Sequence, residues 1–276
     1  SDAEDYRPAR TMVHDGVFSV IDAQGRTLPY TDPRVTLLFP SMGDLATRAI
    51  AAVFAGSGFH THAHAPSNEA ILKLGRGNTT CKECLPLILT TGTLLDYLHH
   101  QKQPDEVVLY FMPTGSGPCR FGQYYIFMED LVRKLKIPDV AMFSLSSDDG
   151  YEGLPTSLHR KGWWAVVISD IFEDIRAMLL ANAQARDTAT SLFERQYALV
   201  LEALGKGRFE VLERTLAEVA ARLARIPLKR PMEEVPVISL MGEIFVRRDG
   251  LSRQYLTEQL ADKGFAAVCA PVAEWV

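Results

Sequence analysis

Residues 106–113 read EVVLYFMP, a run in which six consecutive side chains are apolar with no polar alternation. A strand with one face in water alternates; a strand apolar throughout is covered on both faces, as in the parallel sheet of an α/β protein. Shorter runs of the same kind stand on either side, at Val35–Phe39 and within VAMFSLSS, residues 140–147. Helical patterns separate them. Gly43-Asp44 begins an alanine-rich helix that stops near Gly56-Ser57-Gly58. Cys84–His100 has apolar positions spaced three and four apart, and Gln123–Lys136 is a further helix ended by Ile137-Pro138.

The pattern changes after residue 162. Three helices are expected at Trp163–Ala183, Ala189–Leu204 and Phe209–Ile226, from alanine, leucine and charged residues at helical spacing. Then EVPVISLMGEIFV (234–246) returns to strand, SRQYLTEQLADKG (252–264) to helix and FAAVCAP (265–271) to strand. The expected fold is therefore α/β, with two Rossmann-like lobes of open, mostly parallel sheets and an inserted helical section. Four parts follow: an N-terminal segment 1–33 with a hairpin at Val17–Val20 and Arg26–Leu28, a first lobe 34–162, the helical section 163–230, and a second lobe 231–276 that reads as incomplete.

Charge and hydropathy exclude several functions. A formal net charge of −5 argues against a general nucleic-acid binder. No apolar run approaches the roughly 20 residues of a membrane-crossing helix, and the start SDAEDYRPAR is no secretory signal. We read the chain as cytoplasmic. Four cysteines in 276 residues are too few for a disulfide framework, so a Cys-x-x-Cys pair points to metal or redox use.

That pair lies in GNTTCKECLPL as Cys81 and Cys84, and a third cysteine, Cys119, lies in PTGSGPCRFGQYY. Cys84 begins a helix; Cys119 falls between the apolar strand and the next helix. Both are expected at the carboxyl edge of the sheet, where ligands of open α/β folds gather. Helix starts favour thiolates and anionic centres. Gly115, Gly117 and Gly122 would let backbone approach a bulky group, and Arg120 would offset its negative charge or form a surface ion pair. Gly117–Gly122 fits half a phosphate loop, but Gln123 and Tyr124 stand where Lys and Ser/Thr are required, so ATP hydrolysis is rejected. Zinc, a dithiol and an iron–sulfur cluster remain open on spacing alone.

NTTCKECLPLILTTGTLLDYL, YFMPTGSGPCRFGQYY and LMGEIFVRRDGLSRQYLTEQLADKGF resemble the 2-hydroxyacyl-CoA dehydratase and acyl-CoA dehydratase activase-related family. The likeness is to the dehydratase-like region of long activase polypeptides and runs from about Arg34 onward. The resemblance implies two lobes holding a [4Fe-4S] or larger iron–sulfur cluster through cysteines. It also implies an ATP-dependent activase, fused or separate, that supplies a low-potential electron for dehydration of a CoA thioester, with oxygen sensitivity. Self-association is left open. Cys84 and Cys119 match the ligand positions, and Cys81 is close enough to ligate. The family takes another cysteine from the second lobe; here that lobe offers only Cys269, flanked by apolar residues and read as a buried core thiol. The alternative is a non-catalytic scaffold or regulatory module with or without structural zinc.

Arg247 and Arg248, after the expected strand GEIFV, read as a phosphate or carboxylate grip or as a solvated strand end, with Glu243 as a partner. His60, His62 and His64 alternate along one strand face, where edge solvation outweighs a metal site. Trp163-Trp164 is read as opening a helix and packing between lobes. Ser144, Ser146, Ser147, Asp148 and Asp149 form a polar strand end without a histidine base, so no hydrolase triad is expected.

Overall fold

The computed structural model describes residues 6–14, 17–80, 82–145 and 156–275. The chain divides into two compact units, Ser1–Ser41 with Ser57–His159 and Met42–Gly56 with Arg160–Val276. It is an α/β protein whose larger sheet is parallel.

The chain opens with β1 (Arg10–His14), β2 (Val17–Ile21) and β3 (Thr27–Pro29), an antiparallel meander in that order. The hairpin expected from sequence is β2 and β3. β1 is additional: four of its five residues are exposed, so it carries no apolar face to announce it. There follow β4 (Val35–Phe39), α1 (Asp44–Ala55), β5 (His60–Ala63), α2 (Glu69–Asn78), α3 (Leu85–His100), β6 (Val107–Phe111), α4 (Tyr124–Lys134) and β7 (Val140–Phe143). The four strands β5-β4-β6-β7 form one parallel sheet, and every residue of β6 is buried, as its uninterrupted apolar run requires. From β4 the chain moves outward to β5, then crosses to β6 on the other side. That reversal of strand order between β4 and β6 is a topological switch point, the place where open α/β sheets generally bind ligands.

α2 was not legible as a helix. Asn68 caps it by accepting the Ile71 backbone N–H at 3.0 Å, but Gly75 and Gly77 dilute its helical pattern. Gly75 has a packing reason: a Cβ there would stand 2.0 Å from the Ile88 carbonyl oxygen of α3, and one on Gly92 would stand 2.1 Å from that of Ile71. α2 and α3 therefore meet backbone to backbone, and the CKEC segment is the link between them. Beneath, Leu38, Leu94, Val108, Tyr110, Met128 and Val132 share one apolar core, with the Tyr110 hydroxyl donating to the Thr90 carbonyl at 2.7 Å.

In the second unit α5 (Thr156–Asn182), α6 (Arg186–Lys206) and α7 (Phe209–Leu223) are the three expected helices. α5 starts earlier than expected, so Trp163 and Trp164 lie inside it and do not open it; the Trp164 ring lies 5.2 Å from that of Phe209, on α7 of the same unit. The Tyr197 hydroxyl on α6 donates to the Leu45 carbonyl of α1 at 2.7 Å, which explains why α1 belongs with this unit. β8 (Val237–Leu240) and β9 (Ala266–Cys269) pair in parallel, with α8 (Leu256–Asp262) between them in sequence.

Two expectations are corrected here. GEIFV is not strand: residues 244–248 form consecutive turns, because the Glu243 carboxylate accepts the backbone N–H groups of Phe245 and Val246 at 3.0 and 2.9 Å. Such local side-chain bonds offer the backbone an alternative to a ladder. The next helix starts at Leu256 and not at Ser252, since Gln254 and Tyr255 hold φ values of 53° and 56°, outside the helical region. Among the described residues no helix is long and apolar enough to cross a membrane.

Candidate functional site

Cys84 is the residue before the first turn of α3, extended at φ −73° and ψ 154°, with Pro86 following as helix starts favour. Its thiol makes no capping bond to α3. It is half-buried, and its sulfur meets the Tyr124 hydroxyl at 2.6 Å. Tyr124 is the first residue of α4 and 5% exposed, so the hydroxyl is held by a buried ring.

Cys119 is exposed and precedes a short 3-10 helix, Arg120–Gln123, that leads into α4. Beyond β6 the chain stays tied to its neighbour, with the N–H groups of Met112 and Thr114 donating to Phe143 and Leu145 carbonyls at 3.0 and 2.9 Å. It then folds on itself: the Thr114 hydroxyl donates to the Gly122 carbonyl at 2.8 Å, and a Cβ on Gly122 would stand 2.3 Å from the Gly115 carbonyl oxygen. Gly122 is thus needed for the loop's own closure, and Gly117 lies at its tip at φ 133° with open space around it.

The two cysteine loops touch. The Arg120 guanidinium donates through Nη1 to the Lys82 carbonyl at 3.0 Å, pinning the Cys119 loop to the residue between Cys81 and Glu83. That bond, to a neutral carbonyl, uses one of the five guanidinium N–H groups and leaves the positive charge in place. Glu83 is turned away toward the Thr80 hydroxyl at 2.6 Å, and that hydrogen bond holds its carboxyl below the usual carboxylate range. A cavity of about 380 Å³ opens beside the loop stem, with Asn78, Thr79 and Thr80 on one wall and Phe127, Leu131 and Lys134 of α4 on the other.

The donor chemistry suits a thiolate-ligated centre. Two soft sulfurs stand before helical segments on loops joined by a hydrogen bond, at the carboxyl end of the sheet. Cys81 lies outside the described residues. Among the described residues no three His, Cys, Asp or Glu side chains converge as a metal site.

The arginine turn of the second unit is built differently. Arg247 and Arg248 are 6% and 7% exposed, so the solvated reading is wrong. Arg248 forms a buried ion pair with Asp170 of α5, and Arg247 donates to the Gly242 and Pro271 carbonyls at 3.3 and 3.1 Å. The Glu243 carboxylate serves the backbone turn, and its carbonyl oxygen accepts the Arg247 backbone N–H at 3.1 Å. Cys269 is buried; its thiol donates to the Arg247 carbonyl at 3.1 Å and accepts from Arg253 at 3.3 Å. Burial raises the Cys269 thiol above its ordinary value, opposed by the positive charge of Arg253 and Arg248.

The His62 and His64 rings lie 6.2 Å apart, edge to face. His60 is exposed and bonds the Thr31 carbonyl at 3.2 Å. His62 lies 5.0 Å from the Tyr97 ring, and burial lowers its basicity. His64 is past the strand end and buried between the Ala65 carbonyl and Asp96, so it is not solvated at an edge. Ser144 follows β7, whereas Ser146, Ser147, Asp148 and Asp149 lie outside the described residues. Sequence reasoning missed Tyr124 as a partner of Cys84 and Asp170 as the partner of Arg248; no local pattern links residues 40 and 78 positions apart.

Comparison of the chain with protein-family models, curated proteins and solved structures finds no match.

Proposed function

We propose that this chain is an iron–sulfur redox component, with Cys84 and Cys119 as ligands of a [4Fe-4S] or larger cluster and Cys81 as a third. The observation that carries the reading is the Arg120–Lys82 hydrogen bond, which draws two thiol-bearing loops from distant parts of the sequence to one sheet edge. The likeness of ECLPL and GPCRFGQY to the 2-hydroxyacyl-CoA dehydratase and activase-related family supports it. In that reading the two units correspond to Rossmann-like lobes, the setting is the reducing cytoplasm, and an ATP-dependent activase is the electron donor. A cluster supplies one-electron storage at low potential when bound.

The chain's own residues do the rest. Arg120 fixes the spacing of the loops and brings one positive charge to the neighbourhood of an anionic centre. The start of α3, whose first N–H groups lack a side-chain cap, orients partial positive charge toward Cys84. The cavity between Asn78–Thr80 and α4 adjoins the loop and is the candidate entry for a small organic substrate, a CoA thioester in the family reading.

The test is metal analysis with an electronic spectrum on protein purified without oxygen. Iron and acid-labile sulfide near stoichiometry, with visible charge-transfer absorption, are expected. Zinc alone, or no metal after anaerobic reconstitution, contradicts the proposal and favours a scaffold that kept the fold without the electron chemistry.

A further inference from the structure

Tyr124 is a buried phenol whose hydroxyl reaches the sulfur of Cys84 at 2.6 Å. The ring is fixed on three sides. Its backbone begins α4, Phe121 packs against it edge-on with ring centroids 5.3 Å apart, and Met128 and Leu87 share its core. Cys84 is fixed as well, by the start of α3 and by α3's backbone contact with α2. Either atom can donate while the cysteine is a thiol, but a metal-bound thiolate has no proton and can only accept. The bond direction is then set, phenol O–H to sulfur.

We infer that Tyr124 is a positioning and tuning residue of the cysteine centre, donating a hydrogen bond to the Cys84 ligand sulfur. The inference rests on the iron–sulfur reading above. A hydrogen bond to a ligand sulfur withdraws electron density from the centre, favours the state carrying one more electron and raises the reduction potential. Because Tyr124 also opens the helix that follows the Cys119 loop, it ties both cysteine loops to one rigid element.

The experiment compares wild-type protein with Tyr124→Phe after identical anaerobic reconstitution with iron and sulfide. Three quantities are read: iron per chain, midpoint potential, and hyperfine coupling to exchangeable protons of the reduced centre in ¹H₂O and ²H₂O. Phenylalanine keeps the ring and its packing, so iron content stays equal. The inference expects a more negative midpoint potential in Tyr124→Phe and the loss of one exchangeable proton coupling that wild type shows. A purely structural tyrosine would move neither quantity, so identical potentials and proton couplings overturn the inference while leaving the cluster reading intact. The coupling is measurable in the wild type alone, so its absence there overturns the inference even if the variant fails to fold. Wild-type protein that takes up no iron and sulfide overturns both readings together.

Discussion

The cysteines of the two units have opposite surroundings. Cys84 and Cys119 sit half-buried and exposed on loops, without internal roles in capping a helix. Cys269 is buried at the end of β9 and spends its thiol on the Arg247 carbonyl and Arg253. The arginines differ in the same sense. Arg120 reaches across a surface loop to a carbonyl, whereas Arg248 is buried against Asp170. Access, more than residue type, separates sulfur available to a ligand from sulfur used as core. A Cys-Arg neighbourhood occurs in both units, and only the first leaves the sulfur approachable.

The comparison can be broken most forcefully in the second unit. Asp170→Asn leaves the Arg248 guanidinium buried without its counter-charge and is expected to cost about 3–5 kcal/mol, the usual penalty for breaking a buried pair. Chemical denaturation checks it; a loss below about 1 kcal/mol would mean the pair is hydrated and the unit less closed than described. In the first unit the counterpart is Gly75→Val. It forces atoms into the 2.0 Å approach to Ile88 and is expected to cost about 3 kcal/mol by overpacking, with lowered metal uptake because the CKEC link loses its two anchoring helices. Unchanged stability would show that α2 and α3 are not in backbone contact.

Acid and base should separate the units next. The Asp32 carboxyl is lowered to about 2, first by its hydrogen bond from the Arg34 side chain. Its stabilisation is present above the ordinary carboxylate value and is lost as pH falls toward 2, and Asp32→Asn should remove that part of the acid slope. Glu173, in the second unit, is raised by burial, opposed by Arg176, Arg248 and Arg253. The folded state then holds a proton that the unfolded state has released, so stability falls as pH rises from the ordinary carboxylate value through the raised one. Glu173→Gln should flatten that fall, as read from denaturation across pH. Identical slopes in wild type and either variant would refute the corresponding assignment. The smallest effect belongs to Arg120→Ala, about 0.5 kcal/mol in stability because the bond is exposed, but with a measurable drop in iron retained after reconstitution.

Much of the first unit was legible because burial on both faces leaves an unmistakable mark: β4 and β6 match their apolar runs residue for residue within the strand core. β1 was not legible, since RTMVH buries no face, and α2 was hidden by the glycines that let it touch α3. GEIFV misled because its residue types favour strands, while the preceding Glu243 closes a turn by bonding backbone amides. The cysteine loops could be read from spacing and from the helix starts that flank them. Their junction could not, because Arg120–Lys82 and Tyr124–Cys84 join residues 38 and 40 positions apart through side chains whose reach no periodicity encodes.

The most direct measurement is iron and sulfide retained, under one anaerobic loading protocol, by Cys84→Ser, Cys119→Ser and Cys269→Ala beside wild type. The account predicts that the first two lose most of their iron while folding normally, and that Cys269→Ala retains a wild-type complement, because its sulfur is already committed to Arg247 and Arg253. Equal iron in all four proteins, or loss confined to Cys269→Ala, would contradict it.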